Sequence, residues 1–374
     1  NGIFGNDFGD HALRSIADML RETATPHMVY GRISGDKFGA LIPVEEFDEQ
    51  GINKRLSRYT VSDGRVSQTL QLSVGAYEVV EPDIDVAFMF DHAFMAMSAV
   101  KGDYQHHVAY YDDTMQQKIM WDQTISSELA GAIETCQVRP YLQPMVDDAG
   151  HVVGAEVLVR WLHPKEGFLS PARFIPILEE NGMIAELDAY MWRCACAKLA
   201  EWKRAGVDLF LSVNISPKDF YFLDVYQVVT SLVEEYGIDP AKLRLEITET
   251  VMMADMENRL KILDQLRELG FLVEMDDFGS GYSSLNMLKD MPVDVLKIDM
   301  MFLYKTKDQR RAQTILKNII SLSRDLGIPS LTEGVETETQ YRALTDMGCR
   351  LFQGYHFARP MPVEEFEKGF FTAA

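Results

Sequence analysis

The stretch "MENRLKILDQLRELGFLVEMDD", residues 256–277, joins a helical pattern to a buried strand. Its first part has an apolar helical face, formed by Leu260, Ile262, Leu263 and Leu266. Gly270 follows as a typical helix stop, and the apolar run "FLVEM" after it predicts a strand buried on both faces. A helix that leads directly into a buried strand is the repeating unit of an α/β fold.

The same alternation continues outward in both directions, over residues 128–374. The strand candidates are residues 138–146, 152–161, 209–216, 243–248, 271–277, 293–299, 328–335 and 351–358. Eight strands with intervening helices in about 240 residues predict a TIM-type (β/α)8 barrel, although a doubly wound open sheet fits the same count. The first two strands are too close in sequence to hold a helix between them, so we expect the first strand to pair antiparallel.

The N-terminal part has a different rhythm and predicts a small α+β domain over residues 1–112. Helical spacing marks residues 10–23, turn chemistry at 34–37 separates two strands, and an alternating strand and a helix follow at 70–80 and 86–102. Residues 113–127 then predict a connecting helix before the barrel at 128–374. We therefore expect two domains joined by a helix.

Composition and charge restrict the class of partner. Hydrophobic residues make up 47% and charged residues 25%, which is typical of a globular protein. The formal charge of −21 argues against nucleic acid polymers and anionic membranes as partners, so a phosphate-bearing substrate would need cations close by. The four cysteines are too sparse for a disulfide scaffold, which predicts a cytoplasmic protein. No uninterrupted apolar run approaches the roughly 20 residues of a membrane span, so we expect no membrane contact in this part. Because the chain begins at Asn1 without Met, we expect a fragment of a longer protein, which leaves an upstream sensor or membrane anchor open.

Polar residues interrupt the apolar strand candidates in a regular way. One of them falls in or at the end of each of seven different candidates, and none falls in a helix: Glu156, Asn214, Glu246, Asp276, Lys297, Glu333 and Gln353. In a barrel of this type the carboxyl ends of the strands converge on one mouth, where the catalytic groups lie. The pattern therefore predicts one polar site assembled from seven strands.

The residue types at this predicted site favour hard cations. Glu, Asp and Asn offer oxygen ligands, which suit Mg²⁺ or Mn²⁺ better than zinc. Asp276 and Asp277 are adjacent, and they point to the same side only if the strand has ended, as the following "FGSGYSSL" suggests. Two cations that share these ligands could clamp a phosphodiester. Gly279 and Gly281 would let the loop after Asp277 turn sharply away.

Seven linked motifs carry a resemblance to a known family. They are "EVLVRW" (156–161), "VNIS" (213–216), "LEITET" (245–250), "DDFGSGYSSL" (276–285), "LKID" (296–299), "EGVET" (333–337) and "QGYHFARP" (353–360). In order and spacing they resemble the EAL-domain cyclic-di-GMP phosphodiesterases over residues 128–370. The signature Ala is Val157 here, which leaves the neighbouring Glu156 in place.

The resemblance implies a barrel enzyme that opens cyclic-di-GMP to linear pGpG with two divalent cations, Mg²⁺ or Mn²⁺. It implies metal ligation by Glu156, Asn214, Glu246, Asp276, Asp277 and Glu333. Glu156, Asp277, Lys297 and Glu333 would be catalytic, with Lys297 positioning the water. Substrate binding would involve Gln143, Leu158, Arg160 and Gln353. Glu249 would secure the loop after Asp277, which links the site to the interface of a homodimer formed through the barrel.

The N-terminal part resembles a GGDEF domain more distantly, through "NGIFGNDFGDHAL" (1–13) and "RISGDKF" (32–38). Lys37 replaces an acidic metal-binding residue of that family, Ser34 replaces its first glycine, and "TPHM" from Thr25 replaces the inhibitory R-x-x-D site. The resemblance therefore implies a degenerate domain without cyclase activity, incomplete at its N-terminus and regulatory or dimerising in role. GTP binding at this domain is a retained alternative.

Two other functions remain open from the sequence. One is a catalytically silent cyclic-di-GMP receptor, which binds the nucleotide and signals to a partner. The other is a barrel hydrolase that acts on different phosphodiesters. Receptors of this kind usually lack some metal ligands, whereas this sequence keeps the whole set.

Overall fold

The computed structural model describes residues 5–64, 66–80, 83–103, 105–253, 255–278, 291–299 and 309–371. The chain divides into two compact units, Asn1–Gln123 and Thr124–Ala374.

The first unit is an α+β domain. Its described helices are α1 (Gly5–Thr23), α2 (Glu49–Leu56) and α3 (Val86–Ala99). Its described strands are β1 (Val29–Ser34), β2 (Lys37–Leu41), β3 (Thr60–Ser62), β4 (Ser67–Thr69), β5 (Val74–Ala76) and β6 (Val108–Tyr110). The predicted N-terminal helix is confirmed, as is the hairpin in which β1 and β2 pair antiparallel around the predicted turn. The strand predicted at 70–80 shrinks to the three residues of β5, which pairs parallel with β6.

A long helix, α4 (Asp113–Glu134), continues from the first unit into the second. Its second half has a buried apolar stripe of Ile125, Leu129 and Ala132, at the i, i+4, i+7 spacing of one helix face. This helix covers residues 113–127, where the connector is predicted, and continues to Glu134.

The second unit is a closed barrel. Its wall consists of β7 (Val138–Asp147), β8 (Val152–His163), β10 (Phe210–Ile215), β11 (Leu243–Thr248), β12 (Leu272–Phe278), β13 (Val295–Asp299), β14 (Ser330–Glu333) and β15 (Leu351–Gln353). These eight strands are the ones that the sequence predicted. The sheet closes because β7 pairs with both β8 and β15, which rules out the open sheet. As expected, β7 runs antiparallel to its neighbours, while the other wall pairs are parallel.

Two short strands were not predicted: β9 (Gly167–Leu169) pairs with β8, and β16 (Met361–Pro362) pairs with β7. The described helices of this unit, after α4, are α5 (Ile175–Asn181), α6 (Ile184–Ala205), α7 (Asp219–Phe222), α8 (Val225–Tyr236), α9 (Met256–Glu268), α10 (Gln309–Asp325), α11 (Glu338–Met347) and α12 (Val363–Phe370). None of the helices in the described ranges has the length and apolar character that a bilayer span requires.

An apolar cluster lies at one end of the barrel interior, beside the buried ion pair of Arg244 and Glu274. Met145, Phe210, Val295 and Leu331 form a buried cluster there. Gly154 is needed beside it, because a Cβ at this position would lie 2.5 Å from the Phe210 ring. Since side chains alternate along each strand, the inward positions two residues further along β10, β13 and β14 lie closer to the mouth. The polar residues therefore lie at the other end of the barrel, at the carboxyl ends of the parallel strands.

Candidate active site

The polar residues that the sequence singled out occupy neighbouring wall strands. Gln143 lies on β7, Glu156 on β8, Asn214 on β10, Glu246 on β11, Asp276 on β12, Lys297 on β13, Glu333 on β14 and Gln353 on β15. Strand register aligns several of them directly: Gln143 pairs with Glu156, and Asn214 with Glu246. The predicted convergence of these residues on one site is therefore what the fold produces.

The ammonium of Lys297 is the centre of this site. Its side chain is 1% exposed, and Nζ lies 2.6 Å from Glu333 Oε1 and 2.9 Å from Glu246 Oε2. Asp276 Oδ1 lies 3.2 Å away and Glu156 Oε2 3.7 Å away. Four carboxylates from four strands therefore share one cation, and the cluster keeps an excess of negative charge.

Amide side chains hold Glu156 in place from two directions. Gln353 Nε2 donates to Glu156 Oε2 at 2.6 Å and also to Gln143 Oε1 at 3.1 Å. Asn214 Nδ2 lies 3.4 Å from Glu156 Oε1, a long hydrogen bond. These neutral donors fix the carboxylate of Glu156 without cancelling its charge, which is the usual support for a metal ligand.

Burial and crowding shift the pKa values of this cluster. Burial, and then the charge of Glu156, hold the pKa of the Glu246 carboxyl well above its usual value. Burial alone would lower the pKa of the Lys297 ammonium, but the carboxylates around it, led by Glu156 and Glu246, outweigh burial and raise that pKa well above its usual value. Lys297 therefore stays protonated throughout the physiological range.

Glu333 is the carboxylate of the cluster that is most accessible from the mouth. Its side chain is 21% exposed, against 10% for Glu156 and 0% for Glu246. Burial among its neighbours still raises the pKa of Glu333 to about 8, partly offset by the charge of Lys297. A carboxyl in a concave acidic mouth is poorly hydrated even when part of it is accessible. Added positive charge would therefore favour its ionised form.

Asp276 and Asp277 reach the site in a way that the sequence did not predict. We predicted that the strand ends at these two residues, but β12 continues to Phe278. Instead, Asp277 has φ +55°, and the pairing with β13 shifts register between Met275 and Phe278. This irregularity breaks the alternation of side chains, so adjacent carboxylates need not lie on opposite faces. Burial, followed by the charge of Asp276, raises the pKa of Asp277.

Of the four substrate residues implied by the resemblance, Gln143 and Gln353 lie on β7 and β15 beside Glu156, and the other two lie further along β8. Leu158 and Arg160 share the face of Glu156 at alternate positions, and both are half-buried. Burial lowers the pKa of Arg160, the charge of Glu156 acts in the opposite direction, and the Arg160 guanidinium carbon lies 5.8 Å from the Tyr141 ring centre. Tyr355 is exposed, with the Arg359 guanidinium 4.3 Å from its ring centre. A cation and an aromatic ring beside the acidic cluster suit a ligand that carries phosphate and a flat base.

Two predicted roles cannot be placed and one residue was overlooked. The loop after β12, with Gly279 and Gly281, lies outside the described residues, so the proposed tie from Glu249 to that loop remains a prediction. Asp299 was overlooked, although it lies two residues after Lys297 on β13 and pairs in register with Glu333. Its charge contributes to the raised pKa of Asp277. The same-face rule for strands could have found it.

The donor set of the cluster fits divalent cations. Glu246 Oε2, Asp276 Oδ1 and Glu333 Oε1 are buried atoms whose polar contact in the described part of the chain is the shared ion pair with Lys297 Nζ, and Glu246 Oε1 has no hydrogen-bond partner there. Buried carboxylate oxygens of this kind need a cation, and the oxygen-rich set suits Mg²⁺ or Mn²⁺. No three acidic, His or Cys side chains in the described ranges form a ready metal-binding group, and here Lys297 Nζ lies between the carboxylates. Cation binding would therefore involve rearrangement around Lys297.

A second pair of carboxyls lies outside the cluster, near the start of α7. Asp219 is fully buried and accepts from the Ser216 amide at 2.7 Å. Burial raises the pKa of Asp219 to about 7, and burial and then the charge of Asp219 raise the pKa of Asp188 well above its usual value. Two neighbouring carboxyls of this kind repel each other less when they share a proton.

This carboxyl pair predicts a pH-dependent stability. Acids with raised pKa values contribute stability below the unfolded pKa of about 3.8, and this contribution is lost as the pH rises through about 7. Asp188→Asn removes the charge but keeps a hydrogen-bond donor, so we expect it to raise the free energy of unfolding at pH 8 by on the order of 2 kcal/mol, with little change at pH 4. Urea unfolding of both proteins at the two pH values measures this. Asp264→Asn, on the exposed face of α9, is the control. If Asp188→Asn changed the free energy of unfolding by the same amount at pH 4 and at pH 8, the two carboxyls would not share a proton.

The fold and site together define a barrel with an acidic, lysine-centred mouth, and comparison with known proteins gives its family. The chain belongs to the EAL domain family, which matches residues 126–360. Residues 1–107 match the diguanylate cyclase GGDEF domain family.

Relatives with both parts are known. The chain is 31% identical over 379 residues to the bifunctional diguanylate cyclase/cyclic di-GMP phosphodiesterase MucR of Pseudomonas aeruginosa, covering 98% of this chain and 54% of MucR. It is 28% identical over 374 residues to the cyclic di-GMP phosphodiesterase PdeR of Escherichia coli, covering 98% of this chain and 56% of PdeR. The chain thus spans about half the length of these curated relatives.

Solved structures agree with the barrel. The c-di-GMP complex of the PaMucR phosphodiesterase superposes with a TM-score of 0.61 at 36% identity, covering 65% of this chain and 99% of that one. An EAL domain protein from Listeria monocytogenes superposes with a TM-score of 0.55 at 32% identity, covering 66% of this chain and 97% of that one.

Proposed function

We propose that this chain is a metal-dependent phosphodiesterase that hydrolyses cyclic-di-GMP to linear pGpG. The cluster of four carboxylates around Lys297 carries the proposal, because it supplies more buried negative charge than one ammonium balances. Excess buried charge is stable only with further cations or protons. MucR and PdeR, which are named as cyclic di-GMP phosphodiesterases, support the choice of substrate.

The proposed metal ligands are the oxygen-bearing side chains at the strand ends. They are Glu156, Asn214, Glu246, Asp276, Asp277 and Glu333, and they would hold two Mg²⁺ or Mn²⁺ ions. When bound, such ions supply Lewis acidity and lower the pKa of a water molecule. Gln353 orients Glu156 for this role by donating a hydrogen bond to it, and Gln143 supports Gln353 by accepting a second hydrogen bond from the same amide.

Lys297 and Glu333 have different proposed tasks in the reaction. Because its pKa is held high, Lys297 cannot accept a proton from water at neutral pH, and it instead donates a hydrogen bond that positions the water. Glu333, as the most exposed carboxylate of the cluster, is best placed to accept the proton of that water once ionised. Leu158 and Arg160 would contact the nucleotide beyond the cluster.

For the N-terminal unit we propose a regulatory or dimerising role without cyclase activity. The side chain at the acidic position of its hairpin is Lys37, whose Nζ lies 4.1 Å from the Phe94 ring centre. An ammonium cannot ligate Mg²⁺, so this hairpin lacks the ligand that cyclisation needs. We propose residues 1–112 as this domain, 113–127 as the connector and 128–374 as the phosphodiesterase, with a homodimer formed through the barrel.

The activity is tested by incubating the purified chain with cyclic-di-GMP and either Mg²⁺ or Mn²⁺. We expect linear pGpG, detected by chromatography, and loss of turnover after chelation that either ion restores. Glu257→Gln, an exposed residue on α9, should leave turnover unchanged. Absence of turnover with both ions would contradict the proposal, and tight nucleotide binding in that case would identify a receptor.

A further inference from the structure

A buried arginine on α9 lies directly beneath two loops at the barrel mouth. Arg259 is 3% exposed, and its guanidinium forms no ion pair with a carboxylate among the described residues. The other buried positions on α9 are Leu263 and Leu266, so a leucine would satisfy packing at position 259. A buried guanidinium without an acidic partner is costly unless carbonyl groups accept its hydrogen bonds.

The hydrogen bonds of Arg259 run to two different loops. Nη1 donates to the carbonyl of Val251, in the short helical segment Glu249–Met253 that follows β11. Nη2 lies 3.4 Å from the carbonyl of Pro217, in the segment between β10 and α7. The rings of Phe220 and Tyr221 lie 5.2 and 4.9 Å from the guanidinium carbon. One side chain therefore connects the loops after two neighbouring strands.

Those two loops begin immediately after proposed metal ligands. Pro217 is three residues beyond Asn214, and Val251 is five residues beyond Glu246. The β10 loop is also fixed from the other side, because Trp192 Nε1 donates to the Asn214 carbonyl at 2.9 Å. The spacing between the two loops then depends on the planar fork of Arg259, which Lys cannot reproduce with a single ammonium.

We propose that Arg259 is a positioning residue of this site, which keeps Asn214 and Glu246 at the spacing that cation binding requires. This inference rests on the proposed metal-dependent function. Arg259 contacts neither ligand side chain in the structure, so its effect is on the backbone that carries them.

The test compares Arg259→Ala and Arg259→Lys with Arg267→Ala. Arg267 is the matched control, because it lies on the same helix and pairs with Asp294 at the opposite end of the barrel. Mn²⁺ affinity is measured without substrate, by calorimetry, and Mn²⁺ activation and KM are measured with cyclic-di-GMP. We expect both Arg259 variants to weaken Mn²⁺ binding by about 10- to 100-fold, the range for residues that orient ligands, with KM for the nucleotide changed less than about twofold. Arg267→Ala should keep wild-type affinity.

Chemical rescue separates positioning from a general loss of packing. Guanidinium chloride, at concentrations that leave the wild-type protein folded, should restore Mn²⁺ affinity to Arg259→Ala but not to Arg259→Lys, and sodium chloride at equal ionic strength should restore neither. Unchanged Mn²⁺ affinity in both variants, or an equal loss in Arg267→Ala, would overturn the proposal. If the wild-type chain binds Mn²⁺ but does not hydrolyse cyclic-di-GMP, the proposed function fails while the affinity series still decides the role of Arg259.

Discussion

Replacing Lys297 by Ala should abolish turnover while nucleotide binding stays measurable. The ammonium positions the water in the proposed reaction, and loss of such a group typically lowers kcat by about 10²- to 10⁴-fold. The residues proposed to hold the nucleotide, Arg160 and Leu158, lie on another strand and keep their places. Single-turnover hydrolysis and titration with a fluorescent cyclic-di-GMP analogue measure the two properties separately.

The same change should also destabilise the metal-free protein. Removing the cation leaves four carboxylates without their shared partner, and breaking a buried ion pair costs about 3–5 kcal/mol. Mn²⁺ should recover part of this stability, because it replaces the lost charge. Lys261→Ala, which removes an exposed ion pair on α9, is the control. If Lys297→Ala lost turnover and nucleotide binding in parallel, its assignment to the water would be wrong.

Replacing Glu246 by Gln should have opposite effects on activity and stability. Glu246 is fully buried, and burial opposes its ionised form. The neutral amide removes that penalty, so the free energy of unfolding without metal at pH 8 should rise. Turnover should fall at least about a hundredfold, because a charged ligand is lost. Functional residues that are held in an unfavourable state often show this trade-off.

The free energy of unfolding, measured at two pH values, tests whether the cost of ionising Glu246 is the reason for this gain in stability. At pH 8 the raised pKa of Glu246 makes its ionisation unfavourable in the folded state, whereas at pH 4 the carboxyl is protonated in both states and the substitution should be nearly neutral. Urea unfolding with a chelator present, at each pH, gives the comparison, and Glu257→Gln serves as the exposed control. A Glu246→Gln protein that is less stable than wild type at pH 8 would show that the carboxylate is not under strain.

The eight wall strands could be predicted because buried strands have a strong sequence signal. Each is an apolar run bounded by turn residues, and each active-site residue stands out against that run. The two- and three-residue strands β16 and β9 could not be found in this way, since they are too short for any periodicity. The strand predicted at 70–80 was too long for a different reason: the alternation of side chains in the sequence continues beyond the residues that pair.

At the site, residue types were predictable but backbone irregularities were not. The positive φ of Asp277 depends on tertiary pairing with β13, and the position lacks the glycine that would indicate a positive φ in the sequence. Arg259 illustrates a different limit. It lies four residues before Leu263 and seven before Leu266, so helical spacing puts it on the buried face, although the predicted apolar face consisted of Leu260, Ile262, Leu263 and Leu266 alone. For the burial of Arg259, helical spacing was therefore a better predictor than residue type.

The reversed direction of β7 determines where the chain enters the barrel. In a barrel whose strands are all parallel, the first strand begins at the face opposite the catalytic groups. Here Val138, at the start of β7, pairs with Trp161 near the end of β8, so the chain enters at the catalytic face. The end of α4 is anchored at the same end of β8, where Glu128 Oε2 lies 2.6 Å from His163 Nε2. Since α4 contacts β8 directly, a rotation of α4 would shift the strand that carries Glu156 and Arg160.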